Sequence, residues 1–193
     1  MSGAGNSPPM ETLFYTRVAS SPVGPLVLGA TSAGLAVLGF DHRVTMAGKF
    51  GQGFRTEHSQ DALAAYVKQL EEYFAGRRKA FDCPLDLRGT EFQKLCWRAL
   101  LEIPYGETRT YSQIASAIGR PQAVRAVGAA NGANPIAIVV PCHRVIAADG
   151  TLWGYGGGLA AKEWLLHHEG ARFRGGGNDH ASTPSLFQSE DSA

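Results

Sequence analysis

The stretch that most restricts how this chain can fold is Ile136-Ala-Ile-Val-Val-Pro-Cys-His-Arg-Val-Ile146. Its first part is apolar and rich in β-branched residues, which predicts a buried strand. Pro141 ends that strand, because proline cannot donate to a sheet ladder and fixes its own φ. Directly behind the break stand Cys142, His143 and Arg144: a soft nucleophile, a titratable imidazole and a fixed cation. Polar groups of these kinds at the end of a buried strand are costly unless a site uses them. A solitary cysteine is ordinarily a small buried hydrophobe. Here its neighbours point elsewhere, since a thiol needs a base or a positive field to become thiolate, and His143 with Arg144 offers both.

The rest of the composition narrows the setting. Cys83, Cys96 and Cys142 make an odd count with no paired spacing, which predicts a reducing compartment rather than a disulfide scaffold. They also lack the spacing of a structural zinc site, so no metal is expected. No stretch approaches the roughly 20 apolar residues that cross a bilayer. Met1 to Met10 lacks a basic region followed by an apolar block, so no signal peptide is read there. A cytoplasmic protein without membrane contact is the expectation. Formal net charge is only +1, yet from Thr108 to Ala148 there are four arginines (Arg109, Arg120, Arg125, Arg144) and no lysine or carboxylate. Such a stretch fits an anionic partner, and equally a solvated face.

In chain order, residues 1–11 read as a disordered leader. Leu13 to Ala19, Leu26 to Thr31 and Leu35 to Phe40 are short strand-like runs separated by turn residues, which predicts an antiparallel meander. Asp41 to His58 reads as a long loop. Ser59 reads as the cap of a helix running to about Ala75, with Leu63, Tyr66, Val67, Leu70 and Phe74 on one face. Arg77-Arg-Lys79 is a solvated turn, and Phe81 to Leu87 a further strand. Residues 12–88 thus form a small α/β domain with a structural role and no visible chemistry.

Gly89 opens a second domain, residues 89–170. Thr90-x-x-Gln93 is a capping box before a helix carrying Phe92, Leu95, Cys96, Leu100 and Ile103 at helical spacing, which places Cys96 in the core. Thr110-x-x-Gln113 caps a short helix through Ile118, with Tyr111 in its first turn. Gly119-Arg-Pro121 breaks the chain before a helix from Gln122 to Asn131, and this is the pattern of a helix-turn-helix. Apart from Arg125 the second helix is made of small residues, Ala123 and Ala126 among them. Two explanations stand: backbone brought close to a partner, or close packing inside the protein. Asn134-Pro135 leads into the cysteine run, where the asparagine can satisfy the backbone of a turn. Trp153-Gly-Tyr-Gly-Gly-Gly158 lacks the Lys-Ser/Thr of a phosphate-binding loop, and its glycines suit backbone close to a planar ligand beside Tyr155. The last helix, Leu159 to Glu169, ends at Gly170. Glu169 sits where the helix dipole disfavours a carboxylate, so a histidine or arginine partner is expected. Residues 171–193 read as a disordered tail.

Taken together, Pro141-Cys-His-Arg-Val145, Tyr111, Arg125, Asn134, Tyr155-Gly-Gly157 and Lys162-Glu-Trp-Leu-Leu-x-His-Glu-Gly170 resemble the O6-alkylguanine-DNA alkyltransferases. The resemblance implies an α/β (α+β) fold, with a ribonuclease H-like N-terminal domain and a mainly helical C-terminal domain. It implies a monomeric suicide repair protein without cofactor, in which Cys142 takes an alkyl group from O6 of a guanine flipped out of double-stranded DNA. O4-alkylthymine is a second candidate substrate. In that pattern Glu169 orients His143, which deprotonates Cys142 through a water, and Asn134 braces the turn. Tyr111 crowds the target phosphate and donates to N3 of the base. Arg125 fills the gap left by the flipped nucleotide. Ala123, Ala126 and Arg144 join Arg125 at the minor groove. Pro141, Val145, Tyr155, Gly156 and Gly157 line the substrate pocket. Many relatives carry a serine where Gly156 stands.

Overall fold

The computed structural model describes residues 10–43 and 54–174, and of Arg43 only the backbone. The expected leader and tail lie outside them except at their inner ends. There the reading is corrected: Glu11 opens the first strand and Ala171 is buried.

Four strands, β1 (Glu11–Val18), β2 (Leu26–Thr31), β3 (Gly34–Phe40) and β4 (Phe54–His58), form a sheet in the order β3-β2-β1-β4. β1, β2 and β3 pair antiparallel in sequence, as the turn residues between them predict. Every residue of β2 and β3 is buried, so both faces of these strands are covered. β4 lies in the stretch expected to be a loop. It is a mostly exposed edge strand paired parallel to β1, and its polar sequence gives no alternation to detect. Helix α1 (Ala64–Phe74) follows a short 3-10 turn at Asp61–Leu63, with the Ser59 hydroxyl accepting from the Ala62 N–H. Leu63 of the turn and Leu70 and Tyr73 of the helix are buried. The expected strand at Phe81 to Leu87 is reduced to one bridge: Leu35 N–H donates to the Pro84 carbonyl, and Asp86 N–H to the Leu35 carbonyl.

Both capping boxes form as predicted. Thr90 and Gln93 exchange hydrogen bonds at the start of α2 (Glu91–Leu101). Thr110 and Gln113 do the same at α3 (Tyr111–Ala117). α2 buries Cys96, Trp97 and Leu100, whereas Leu95 is exposed. The Trp97 indole donates to the Ala130 carbonyl at 2.8 Å and so ties α2 to α4 (Val124–Gly132). α3 and α4 are the helix-turn-helix. A short parallel pair, β5 (Arg109–Thr110) with β6 (Val145–Ile146), was not foreseen. α5 (Leu159–His168) closes the fold. One hydrophobic cluster runs from Leu26 and Leu38 through Trp97 and Val127 to Leu165, so the two halves share a core.

The run Ile136–Val140 is buried as expected, but it is not a strand. Its chain reverses: Val140 N–H donates to the Ile136 carbonyl at 2.9 Å, and Ile138 has φ of 73°. That region is unfavourable for a β-branched residue and persists only where surroundings impose it. Asn134 imposes it, its amide donating to the Val140 carbonyl at 2.8 Å and its oxygen accepting from Ile136 N–H at 3.0 Å. Leu38 N–H donates to the Pro135 carbonyl, and Ala137 N–H to the Leu38 carbonyl, so the reversal hangs on β3. Composition dictated burial; local hydrogen bonding dictated shape.

Candidate active site

Pro141 leads into a 3-10 turn, Cys142–Arg144, rather than continuing an extended segment. Cys142 is 5% exposed and lines a cavity of about 740 Å³. The helix-turn-helix supplies one wall through Tyr111, Gly128, Asn131 and Gly132, and Trp153 to Gly156 supply another. Gly39 and Phe40, from β3, close the back.

Behind the thiol lies a buried polar cluster. His143 is fully buried, with Nε2 2.9 Å from Glu169 Oε1. An ionised carboxylate only accepts, so Nε2 carries the proton and Nδ1 keeps its lone pair. Nδ1 has no hydrogen-bond partner in the protein. Burial lowers the imidazole below its ordinary value, against the opposing pull of Glu169, so His143 rests neutral. Burial alone would raise the Glu169 carboxyl. Hydrogen bonds and charge from His143 and Arg144 outweigh it and hold Glu169 far below the carboxylate range. The partner expected for an acid at a helix C-terminus is therefore present twice. Gly106 completes the acid's surroundings: its N–H lies 3.3 Å from Oε2, φ is +79°, and a Cβ there would stand 2.8 Å from the Glu169 carbonyl.

Arg144 requires a correction. The resemblance implies a groove contact, yet the side chain is 7% exposed and turned inward. Nε meets Glu169 Oε2 at 2.8 Å, Nη2 meets Oε1 at 2.9 Å, and Nη1 meets the Ile103 carbonyl at 2.6 Å. Its charge is spent inside.

Of the residues expected in the pocket, Tyr155 and Gly156 line the cavity together with Tyr111, Asn134 and Cys142. Pro141 and Val145 are buried and, like Gly157, do not line it. Gly157 is glycine for another reason: a Cβ there would run into the Phe40 ring, so this close approach is to protein rather than ligand. The Tyr155 hydroxyl is buried without a partner, and burial followed by Cys142 pushes it upward. Burial and Cys142 likewise raise Tyr111, which keeps its hydroxyl a donor. On α4, Val127, Ala130 and Asn131 face the core, whereas Arg125 and Ala126 are exposed and Ala123 is half-exposed. The small residues thus serve packing on one face and leave the other open.

Three contributors were missed. Lys162 is fully buried within α5 and donates to the carbonyls of Val145 (2.7 Å) and Trp153 (3.0 Å). Asn131 lines the cavity with a buried, unpartnered Oδ1. Tyr73, from the half thought free of chemistry, donates to Glu169 Oε1 at 2.7 Å. Each is a polar group on an apolar helical stripe, which was the available signal. Among the described residues no group of three or more His, Cys, Asp or Glu is placed to hold a metal ion, and no helix is long and apolar enough to cross a membrane.

A cysteine at a cavity, followed by a histidine paired with a buried glutamate and set beside a helix-turn-helix, defines the class of the site. Residues 91–171 match the family described as 6-O-methylguanine DNA methyltransferase, DNA binding domain, and residues 14–87 match its ribonuclease-like domain. The chain belongs to the 6-O-methylguanine DNA methyltransferase family. It is 50% identical over 162 residues to the methylated-DNA–protein-cysteine methyltransferase of Mycobacterium tuberculosis (strain ATCC 25618 / H37Rv), spanning 83% of this chain and 94% of the relative. It is 50% identical over 160 residues to that of Methanosarcina acetivorans, spanning 82% and 99%. Among solved structures it resembles M. tuberculosis OGT in complex with DNA, with a TM-score of 0.70, 46% identity, and 82% and 92% of the two chains covered.

Proposed function

We propose that the protein repairs alkylated DNA by moving the alkyl group from O6 of guanine onto Cys142, once per molecule. The carrying observation is the cavity lined by Cys142, with His143 of the same turn paired to the buried Glu169. An ordinary thiol, with a pKa of about 8.5, is only a few per cent ionised at neutral pH. His143 therefore takes the thiol proton at Nδ1, directly or through one water, while Glu169 holds the ring and balances the imidazolium. The sulfur attacks the alkyl carbon, an S–C bond forms, and the C–O6 bond breaks with its electron pair going to the base. The proton given up by the thiol is returned to the purine, so the product is unmodified guanine and a thioether. Neither oxyanion hole nor metal is needed for displacement at saturated carbon.

The remaining residues suit this role. Tyr111 donates to N3 of the everted base and crowds its phosphate. Arg125 occupies the space the base leaves. Ala123 and Ala126 let α4 approach the minor groove, and a duplex carrying O6-alkylguanine is bound there by a monomer. Asn134 holds the turn that presents Cys142. Backbone groups of Cys142 and Gly156, which line the cavity, read the base edge. O4-alkylthymine is a second substrate for the same displacement, and the cytoplasm is the expected compartment.

The test is incubation with duplex DNA bearing a labelled O6-methyl group. One equivalent of label on Cys142, lost in Cys142→Ala, is expected. Repeated turnover, or label on Cys83 or Cys96, would sink the proposal. Cys96 is packed in the core and burial raises both of those thiols, which makes them poor competitors.

A further inference from the structure

The buried acid behind His143 is held by both halves of the chain. Tyr73, on α1, is 0% exposed, and its hydroxyl donates to Glu169 Oε1 at 2.7 Å. The same oxygen meets His143 Nε2 at 2.9 Å and Arg144 Nη2 at 2.9 Å. Oε2 meets Arg144 Nε at 2.8 Å and the Gly106 N–H at 3.3 Å. A carboxylate has about four lone-pair sites, so donors crowd this one and compete for its charge. We propose that Tyr73 is a positioning residue of alkyl transfer, whose hydroxyl competes with His143 for Glu169 Oε1 and so sets how strongly the imidazole holds the proton from Cys142. The proposal rests on the reading of Cys142 as alkyl acceptor and His143 as its base.

A short hydroxyl-to-carboxylate hydrogen bond is charge-assisted and draws density from the oxygen it meets. The less charge Oε1 keeps, the less it stabilises imidazolium. Tyr73 is a donor at every working pH, because burial and then Glu169 push its hydroxyl well above its usual value. The other groups around the cluster do not substitute for it. Tyr105 donates to the His168 carbonyl, and the His168 ring nitrogen meets the Tyr73 carbonyl, so both face Tyr73 without touching Oε1. Arg144 and Lys162 face His143 as cations that disfavour imidazolium. The Tyr155 ring lies 6.5 Å from the His143 ring.

A purely structural tyrosine would contribute stability and leave the titration of His143 where it is. The experiment compares pH profiles of methyl transfer from O6-methylguanine in duplex DNA, using full-length protein. Tyr73→Phe removes the hydroxyl and strengthens the His143–Glu169 pair. The acid limb should move up by about half to one pH unit, the scale of one hydrogen bond. 3-Fluorotyrosine at position 73, a stronger donor of nearly the same size, should move it down. Leu70→Ala, a packing change on the same helix, should leave it in place. Superimposed profiles for all four proteins would overturn the role of Tyr73 while transfer itself continues. Absence of label on Cys142 in the unaltered protein would instead remove the functional reading beneath it.

Discussion

Lys162 donates to the carbonyl of Val145 at 2.7 Å and to that of Trp153 at 3.0 Å, so one ammonium joins the strand after the Cys142–Arg144 turn to the cavity wall. Burial lowers this lysine from 10.5 to about 8, with Cys142 opposing. The unfolded chain keeps the proton up to about 10.5. Between about 8 and 10.5 the unfolded state therefore binds more protons, and stability contributed by this group rises with pH. Below about 8 the lysine is charged in both states and the slope vanishes. Urea midpoints taken across that range should show the rise in the unaltered protein and lose it in Lys162→Met.

Glu169→Gln should be destabilising and should slow the chemistry. It leaves the Arg144 guanidinium buried without its counter-charge, a change that costs about 3–5 kcal/mol. Thiol alkylation should slow because His143 loses its anionic partner, while lesion binding persists. Calorimetry and labelled transfer measure the two effects separately. In the unaltered protein the acid carries a linked pH dependence. Its folded value is depressed, so its stabilisation is present above the unfolded value of about 4.5 and is lost as pH falls from there toward the folded value.

Arg125→Ala touches nothing in the core, since Arg125 is exposed on α4. Transfer from duplex DNA should fall about tenfold or more, equivalent to roughly 1.4 kcal/mol. Reaction with a free O6-alkylated base should be nearly unchanged. Equal losses on both substrates would remove Arg125 from any part in base eversion.

Two adjacent glycines should behave differently. A Cβ on Gly157 would stand 2.6 Å from Phe40 Cε2, against the wall that Phe40 gives the cavity. Gly157→Ala should therefore lower stability by about 1–3 kcal/mol through overpacking. A Cβ on Gly156 meets nothing within 4 Å, so Gly156→Ser should unfold at nearly the unaltered temperature. Thermal scans of the pair distinguish them.

What the sequence disclosed was what local chemistry determines. Thr90 with Gln93 and Thr110 with Gln113 announce helices because both partners lie within one turn. The β1–β3 meander is legible because apolar runs alternate with turn residues. Glu169 announces a cationic partner because a helix end disfavours its charge. Failures fall where the deciding partner is remote in sequence or the pattern is weak. β4 is an exposed edge whose pairing with β1 leaves little trace in Phe54-Arg-Thr-Glu-His58. The charge of Arg144 could be read, but not its inward direction, which Glu169 and the Ile103 carbonyl decide. The hydroxyl of Tyr73 finds its acceptor 96 residues away. The bend at Ile138 is set by Asn134 and β3, not by the apolar side chains that suggested a strand.

The attachment of Pro135 and Ala137 to Leu38 extends the cover that the Leu35–Pro84 contact begins along the β3 edge of the N-terminal sheet. Unguarded rims invite pairing between molecules. Here the segment that guards the rim also leads into Cys142. Sheet edge and cavity lining consequently share one short piece of backbone, and a change made there for one should be felt at the other.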